Sequence, residues 1–557
     1  MNRKWWGWGD PDRHDEIESH PELFEFLKKQ LALPEGAHYP LVEATHVKLP
    51  EGQLSSEFLA ALGRACGGGS VSTEPLLRLT HSAGMGYRDL LRLRRGALPD
   101  CVDAVVRPSS EDEVKSVIAL CETASVQVIP YGGGSSVVGS FDVVRKEGQG
   151  VISLDIGLMN RMISLDVGSL VATFQAGISG PDLESQLGSK GLTLGHFPQS
   201  FEYSTLGGWI ATRGAGSSSN IYGKIEDMVI SLHVATPMGI VESLAVPKSA
   251  AGPDLRQLFL GSEGTLGVVT QASVAVHVAP ASRRFSSYLF RSFEEGTSCV
   301  RELLQRGLHN STLRLSDRNE TTSFYHSRGE TVALSSKMKE AVGLWLVSRK
   351  GLSFEGGSLL IAISEGHPDQ VSADVRELKA ACGAHHGFSL GASPAEAWLK
   401  SRFDQPYLRD SLIDHGIMVD TLETATIWSN VLRLHDAVTS AISAELGKRG
   451  RSALVMCHLS HTYLTGSSLY FTYMAAQEPG NELEQWMAAK EAASRAIVSN
   501  GGTITHHHGV GSDHSKWMIN EDGELGLDAL AALKLALDPK GIMNPGKLLP
   551  PMEAKSG

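Results

Sequence analysis

Three turns dense in glycine and hydroxyl residues, all between Tyr131 and Gly267, constrain this chain more than any other feature. The first, IPYGGGSSVVGS (Ile129 to Ser140), follows a β-branched run. Gly132, Gly133 and Gly134 tolerate positive φ and leave consecutive backbone N–H groups able to converge on an anion, and Ser135 and Ser136 add hydroxyl donors. No Gly-Lys-Ser/Thr follows, so this is not a Walker loop, and no GxGxxG spacing fits a Rossmann fingerprint. Alone it reads first as a plain tight turn. The second stretch, PQSFEYSTLGGWIATRGAGSSSNIYGKIEDMV (Pro198 to Val229), gathers small residues around Gly207-Gly208, Gly214 and Gly216. The third, GPDLRQLFLGSEGTLGVVT (Gly252 to Thr270), repeats the theme with Gly261, Gly264 and Gly267. Three such turns in one domain suit a long, flat, phosphate-bearing cofactor held mainly by backbone and hydroxyl groups.

The rest of the chain is organised around that region. Its 557 residues exceed one ordinary core, so two or more domains are expected. Residues 1–99 read as a helical N-terminal region, with HPELFEFLKKQLALPEG placing Leu23, Phe24, Phe26, Leu27 and Leu31 at helical spacing before Pro34. Residues 100–280 alternate short β-branched runs with glycine turns and read as an α+β cofactor-binding domain. Residues 281–498 read as a cap domain, an antiparallel sheet covered by helices on one face. In it, NELEQWMAAKEAASRAIVSNGG predicts a helix with an Asn481/Glu484 capping box and Leu483, Trp486, Met487 and Ile497 near one face. Residues 499–557 form a C-terminal segment returning to the cofactor site. No apolar run approaches the roughly 18–20 residues a bilayer needs, and MNRKWWGWGDPDRHDE is not read as a signal peptide. The net charge of −12 argues against wrapping a polyanion. Six scattered cysteines with no CxxC read as reduced thiols of a cytosol-like compartment, without zinc or disulfides.

Outside the glycine turns, two patterns carry chemistry. In SSLYFTYM (Ser467 to Met474), Leu469, Phe471 and Tyr473 alternate with Ser468, Tyr470 and Thr472, which turns Tyr470 to a polar lining. Periodicity alone makes it an ordinary strand tyrosine, and a phenol near pKa ~10 needs help to act as a base. In THHHGVG, His506, His507 and His508 precede a glycine turn. In an extended chain His506 and His508 share a face and His507 points away, so a metal is not expected. Imidazoles feeding such a turn suit a phosphate and proton-transfer pocket.

Taken in order, KWWGWGDP, IPYGGGSSVVG, STLGGWIATRGAGSSSNIYGKIEDMV, GSEGTLGVVT, RLSD, YLRD, SLYFTY, HHHGVG and DPKGIMNPGKLL resemble the FAD-linked oxidase superfamily typified by vanillyl-alcohol oxidase and para-cresol methylhydroxylase. Within it they resemble the alkyldihydroxyacetonephosphate synthases, the flavoenzymes that make the ether bond of ether lipids. The resemblance implies a two-part FAD-binding domain with a cap. It implies a diphosphate cradle over Pro130, Gly132, Gly133, Gly134, Ser135 and Ser136, and a ring and ribityl lining from Pro198, Ser204, Thr205, Gly207, Gly208, Thr212 and Arg213. Glu263, Gly264 and Val269 would flank the adenine. Ser135 stands where many relatives carry a flavin-linking histidine, which implies noncovalent FAD. Tyr470 is the implied acid/base, with His507 and His508, and less firmly His506, beside the flavin. Arg409 and Arg314 are the implied substrate-binding arginines, with ion pairs to Asp410 and Asp317 as the alternatives. Lys516 stands where a more basic run is expected, and Arg256-Gln257 where animal synthases carry histidines.

The implied reaction exchanges the acyl group of 1-acyl-dihydroxyacetone phosphate for a long-chain alcohol through a flavin N5 adduct, with no net electron transfer. A homodimer, cytoplasmic and in peripheral contact with a membrane, is implied as well. The rival is an FAD-dependent oxidase or dehydrogenase of a 2-hydroxy acid such as lactate or glycolate.

Overall fold

A computed structural model describes residues 3–37, 39, 41–67, 70–308, 310–327 and 349–550. Three sheets and a short ribbon organise them. The first sheet takes the order β1 (Val71–Ser72), β2 (Ala104–Val106), β4 (Val151–Asp155), β3 (Gln127–Tyr131), with β2, β4 and β3 parallel and β1 antiparallel. The second is antiparallel, in the order β5 (Met162–Asp166), β6 (Val171–Gln175), β10 (Val268–Ala275), β8 (Val229–Thr236), β9 (Gly239–Glu242). β7 (Leu192–Thr193) pairs with β11 (His277–Val278). One hydrophobic core unites both sheets, running from Val106 and Val128 through Phe174 and Trp209 to Val274. The chain's end joins this unit, where Val128 exchanges backbone hydrogen bonds with Ile542 and Asn544 beside β3.

The third sheet has seven antiparallel strands in the order β15 (Phe388–Gly391), β12 (Ser282–Phe290), β14 (Ser358–Gly366), β13 (Thr312–Ser316), β17 (Ala453–Thr462), β18 (Gly466–Ala476), β16 (Ile417–Ile427). Helices Phe293–Gln305, Pro368–Ala384, Val431–Lys448 and Glu482–Ser499 share a core with one face, built on Leu315, Leu422, Val455, Phe471 and Tyr473. The other face is not left bare. Val419, Leu454 and Met456 point that way and pack against Leu23, Leu27 and Leu31 of the N-terminal helix Pro21–Leu31. The one-face reading is therefore corrected: the N-terminal helix and the cap's own helices Arg318–His326, Ser393–Ser401 and Gln405–Asp414 pack on the opposite face, where Leu359 and Ile361 meet Ala395, Phe324 and Trp398, and Val419 meets Leu412, because the strands carry apolar residues on both sides.

The helix Glu482–Ser499 forms, but its capping box does not. Asn481 donates to Glu478 at 3.1 Å, and Glu484 accepts from Arg449 at 2.9 Å. Trp486 and Ile497 are buried as expected, whereas Leu483 and Met487 face solvent. The helix instead turns inward Lys490, which donates to buried Asp420 at 3.1 Å, rotating the buried stripe away from Met487.

Candidate active site

The two glycine-rich sheets and the open face of the cap sheet enclose a cavity of about 640 Å³, lined mostly by apolar surface. β3 delivers the first glycine loop to it. Gly132 and Gly133 sit so close to Thr205 Oγ1 and to the Tyr203 carbonyl that a Cβ on either would collide. The amides of Gly132, Gly133, Gly134 and Ser135 find no acceptor among the described residues. Thr205 caps the helix Leu206–Thr212, its hydroxyl accepting from the Gly208 amide at 3.3 Å. Pro130, Ser136, Pro198, Ser204, Gly207, Thr212, Glu263, Gly264 and Val269 complete this wall. A row of unpaired amides beside hydroxyls and an apolar slot fits a dinucleotide such as FAD.

Two residues of the expected cofactor set behave otherwise. Arg213 lies outside the cavity. It is the left-handed C-cap of its helix (φ 51°), and its side chain turns to Gln257 at 3.2 Å and Glu226 at 3.6 Å, toward solvent. Glu263 lines the cavity, but its carboxylate accepts from the amides of Val510 and Gly511, the latter at 2.8 Å, so it ties the histidine loop to the third glycine turn. Burial pushes this carboxyl up to about 7 against those two amides.

Across from the glycine loops stands β18. Leu469, Phe471 and Tyr473 enter the cap core, and Tyr470, Thr472 and Met474 line the cavity. Tyr470 faces His458 of β17 and Glu423 of β16 in the strand register, and its ring stacks on His458 at 5.0 Å. Burial pushes its phenol up to about 12, while a hydrogen bond to Thr421 and the Arg409 charge pull the other way. His507 and His508 line the same cavity, with ring centres 6.0 and 5.4 Å from that of Tyr470.

His506 points elsewhere, its Nε2 bonded to the Tyr463 hydroxyl at 2.6 Å. The segment is bent, not extended, so the alternation expected of the three histidines fails. His506 Nδ1 and His507 Nδ1 approach to 3.1 Å, and with Glu423 they bring one ligand-type atom each within 4.8 Å of one another. The carboxylate is otherwise engaged. It accepts from the Thr505 hydroxyl at 2.7 Å and from the amides of His506, His507 (3.2 Å) and His508 (2.9 Å).

Nothing in the sequence reading singled out Glu423, which is 3% exposed. Burial works to raise its carboxyl, but His508 and His506 once protonated at acidic pH, together with the Thr505 hydroxyl and the amides, outweigh it and bring the group down to about 2. Burial in turn keeps all three imidazoles below their ordinary value. An acidic residue on the strand VDTLETATI was the one available signal.

Arg409, on the helix Gln405–Asp414, stands partly buried in the cavity wall. One Nη donates to the Met85 carbonyl at 2.7 Å, Asp410 stands off at 3.9 Å, and Nε and the other Nη have no hydrogen-bond partner among the described residues. Burial lowers its pKa, opposed by Asp410. A guanidinium with two unused donors is a ready bidentate oxyanion site. Arg314 also lines the cavity, but its ion pair is with Glu320 at 2.9 Å, with His458 Nδ1 at 3.0 Å. Asp317, the expected alternative, instead caps the next helix and binds His435 at 3.1 Å. Lys516 pairs with Glu491 on the surface at 3.2 Å, and Arg256 with Asp254 at 2.7 Å; neither lines the cavity.

Family models described as FAD binding domain and as FAD linked oxidases, C-terminal domain, match residues 102–245 and 279–548. An alkyldihydroxyacetonephosphate synthase of Trypanosoma brucei brucei is 34% identical over 98% of this chain and 92% of its own. A solved alkyldihydroxyacetonephosphate synthase structure superposes with a TM-score of 0.84 at 30% identity, covering 98% of both chains. p-Cresol methylhydroxylase, at a TM-score of 0.68 and 14% identity, shares the fold alone.

Proposed function

Since this chain belongs to the alkyldihydroxyacetonephosphate synthase family, we propose that it exchanges the acyl group of 1-acyl-dihydroxyacetone phosphate for a long-chain alcohol, using FAD. The observation that carries this reading is the meeting, in one cavity, of an amide-lined glycine loop, the unused donors of Arg409, and the pair Tyr470 and His508. Bound FAD supplies an electron-accepting ring system that lets the exchange run without net oxidation.

The chain's own residues do the rest. The amides of Gly132 to Ser135 hold the FAD diphosphate, and Ser135 offers no nucleophile of the linking kind, so the cofactor is noncovalent. Arg409 takes an oxyanion of the phosphorylated substrate. Tyr470 is protonated near pH 7, because burial raises it to about 12. It accepts the proton from C1 of the substrate only as its own passes to His508, a neutral imidazole. Glu423, ionised and 3.7 Å from His508 Nδ1, stabilises the imidazolium that forms. Arg314 and His507 set the charge around this relay. Leu27, Phe324, Trp398, Leu412, Met456 and Met474 offer an apolar wall to the acyl and alkyl chains and exclude water.

Purified protein given palmitoyl-dihydroxyacetone phosphate and hexadecanol is expected to yield the alkyl product. A fully flavinated sample that yields none, yet bleaches with lactate or glycolate, would instead make it a 2-hydroxy-acid dehydrogenase.

Amphiphilic substrates also call for peripheral membrane contact. Among the described residues no helix is long and apolar enough to cross a bilayer, so docking would be by surface. Flotation with phospholipid vesicles tests this. The proposed cytoplasmic homodimer is tested by light scattering and fractionation.

A further inference from the structure

The KWWGWGD segment has no task in the reaction, yet it runs between both halves of the site. Arg3 donates through one Nη to the Gly133 carbonyl and through the other to that of Tyr203 at 3.2 Å, with its guanidinium 4.8 Å from the Tyr203 ring centre. Five residues on, the Trp8 amide donates to Asp410 Oδ2 at 2.7 Å, next to Arg409, and the Trp8 ring meets Tyr203 edge-on at 5.5 Å. Arg13 then binds Glu202 at 3.0 Å and also Asp404. The arm is thus fastened to the second glycine turn and to the cap. Its glycines are demanded by contact. A Cβ on Gly7 would run into the Asp410 carboxylate, and one on Gly9, at φ +67°, into the Tyr407 hydroxyl.

Peptide planarity links this arm to the cofactor. In a trans peptide the carbonyl of Gly133 and the N–H of Gly134 point in opposite directions. Holding the carbonyl against Arg3 therefore turns the Gly134 N–H away from the arm. That N–H has no acceptor among the described residues, and Gly134 lines the cavity. Three successive glycines rotate such a peptide at little steric cost, so the loop's own side chains do not set its orientation. An outside restraint has to.

We propose that Arg3 is a positioning residue of the flavin site, fixing the Gly133–Gly134 peptide so that the Gly134 amide is presented to the FAD diphosphate, and that the Gly7-Trp8-Gly9 arm exists to deliver it. This rests on FAD being the cofactor of the glycine loops.

The test compares the FAD dissociation constants of wild-type, Arg3→Ala and Arg3→Lys protein, from flavin fluorescence recovered on dilution of the holoenzyme. Arg3→Ala is expected to bind FAD about 10-fold more weakly, as for one lost charge-assisted hydrogen bond. Arg3→Lys keeps a donor and should recover much of the loss. Millimolar guanidinium should tighten FAD binding in Arg3→Ala and leave the wild type unchanged. An arm that merely packs would respond to neither rescue. Wild-type affinity in Arg3→Ala, or weakening that neither rescue reverses, overturns the proposal. A colourless wild-type protein that FAD cannot reconstitute would overturn the FAD assignment first, and this proposal with it.

Discussion

Glu423→Gln isolates the charge on which the proton relay depends. One carboxylate oxygen accepts from the Thr505 hydroxyl and the amides of His507 and His508, and the other from the His506 amide. Glutamine can keep the three-donor side as its carbonyl, which leaves an NH₂ facing the His506 N–H and removes the charge. The native carboxyl sits at about 2 instead of 4.5, because its favourable partners outweigh burial. Near pH 7 the imidazoles are neutral, so the part of this gap that stabilises the fold there comes from the hydroxyl and amide donors, about 2 kcal/mol as for hydrogen bonds to a charged group. Because the folded value is depressed, this stability is fully present above pH 4.5 and is lost as pH falls toward about 2. The variant should therefore unfold with a deficit of about 2 kcal/mol in urea at pH 7, shrinking as the pH is lowered through 4.5 to 2. Its kcat/KM for alkyl exchange should fall by roughly 10- to 100-fold, since His508 loses its counter-charge. A deficit that stays constant with pH, or a variant within about 0.5 kcal/mol of wild type, would refute the electrostatic account.

Three further outcomes follow from the same geometry. Tyr470→Phe removes the hydroxyl and leaves the ring stacked on His458, so kcat should drop by about 10²-fold or more in steady-state assays, with the flavin spectrum unchanged. Arg409→Lys keeps the charge but not the planar fork; KM for the phosphorylated substrate should rise about 10-fold, with a smaller effect on kcat, and Arg409→Ala should exceed it on both counts. Precipitation in trichloroacetic acid should leave all flavin colour in the supernatant; a yellow pellet would reveal a covalent link.

Legibility in the sequence followed the range of the interaction. The glycine loops and the alternation that turns Tyr470 away from Phe471 could be read because each depends on neighbours within a few positions, whereas local alternation grouped His506 with His508 and only the family resemblance pointed to His507 and His508. Arg314 and its partner could not be read. Asp317 is nearer in sequence, yet the following helix uses it as an N-cap and turns Glu320 toward the guanidinium. Arg213 failed for a related reason, since the left-handed C-cap reverses the chain and sends its side chain outward. His506 was lost to the bend that Glu423 imposes by collecting three successive amides.

By itself the sequence determined that this chain binds a phosphate-bearing cofactor on glycine turns and offers it a strand tyrosine and a run of histidines, because backbone freedom and side-chain alternation are local properties. The tertiary structure alone decided which charges meet there. The strand register sets Glu423 opposite Tyr470, and the N-terminal arm brings Arg3 to Gly133. Burial raises Tyr470, whereas the hydroxyl, amides and imidazoles that the fold gathers around Glu423 lower its carboxyl in spite of burial, so partners brought from far along the chain decide protonation.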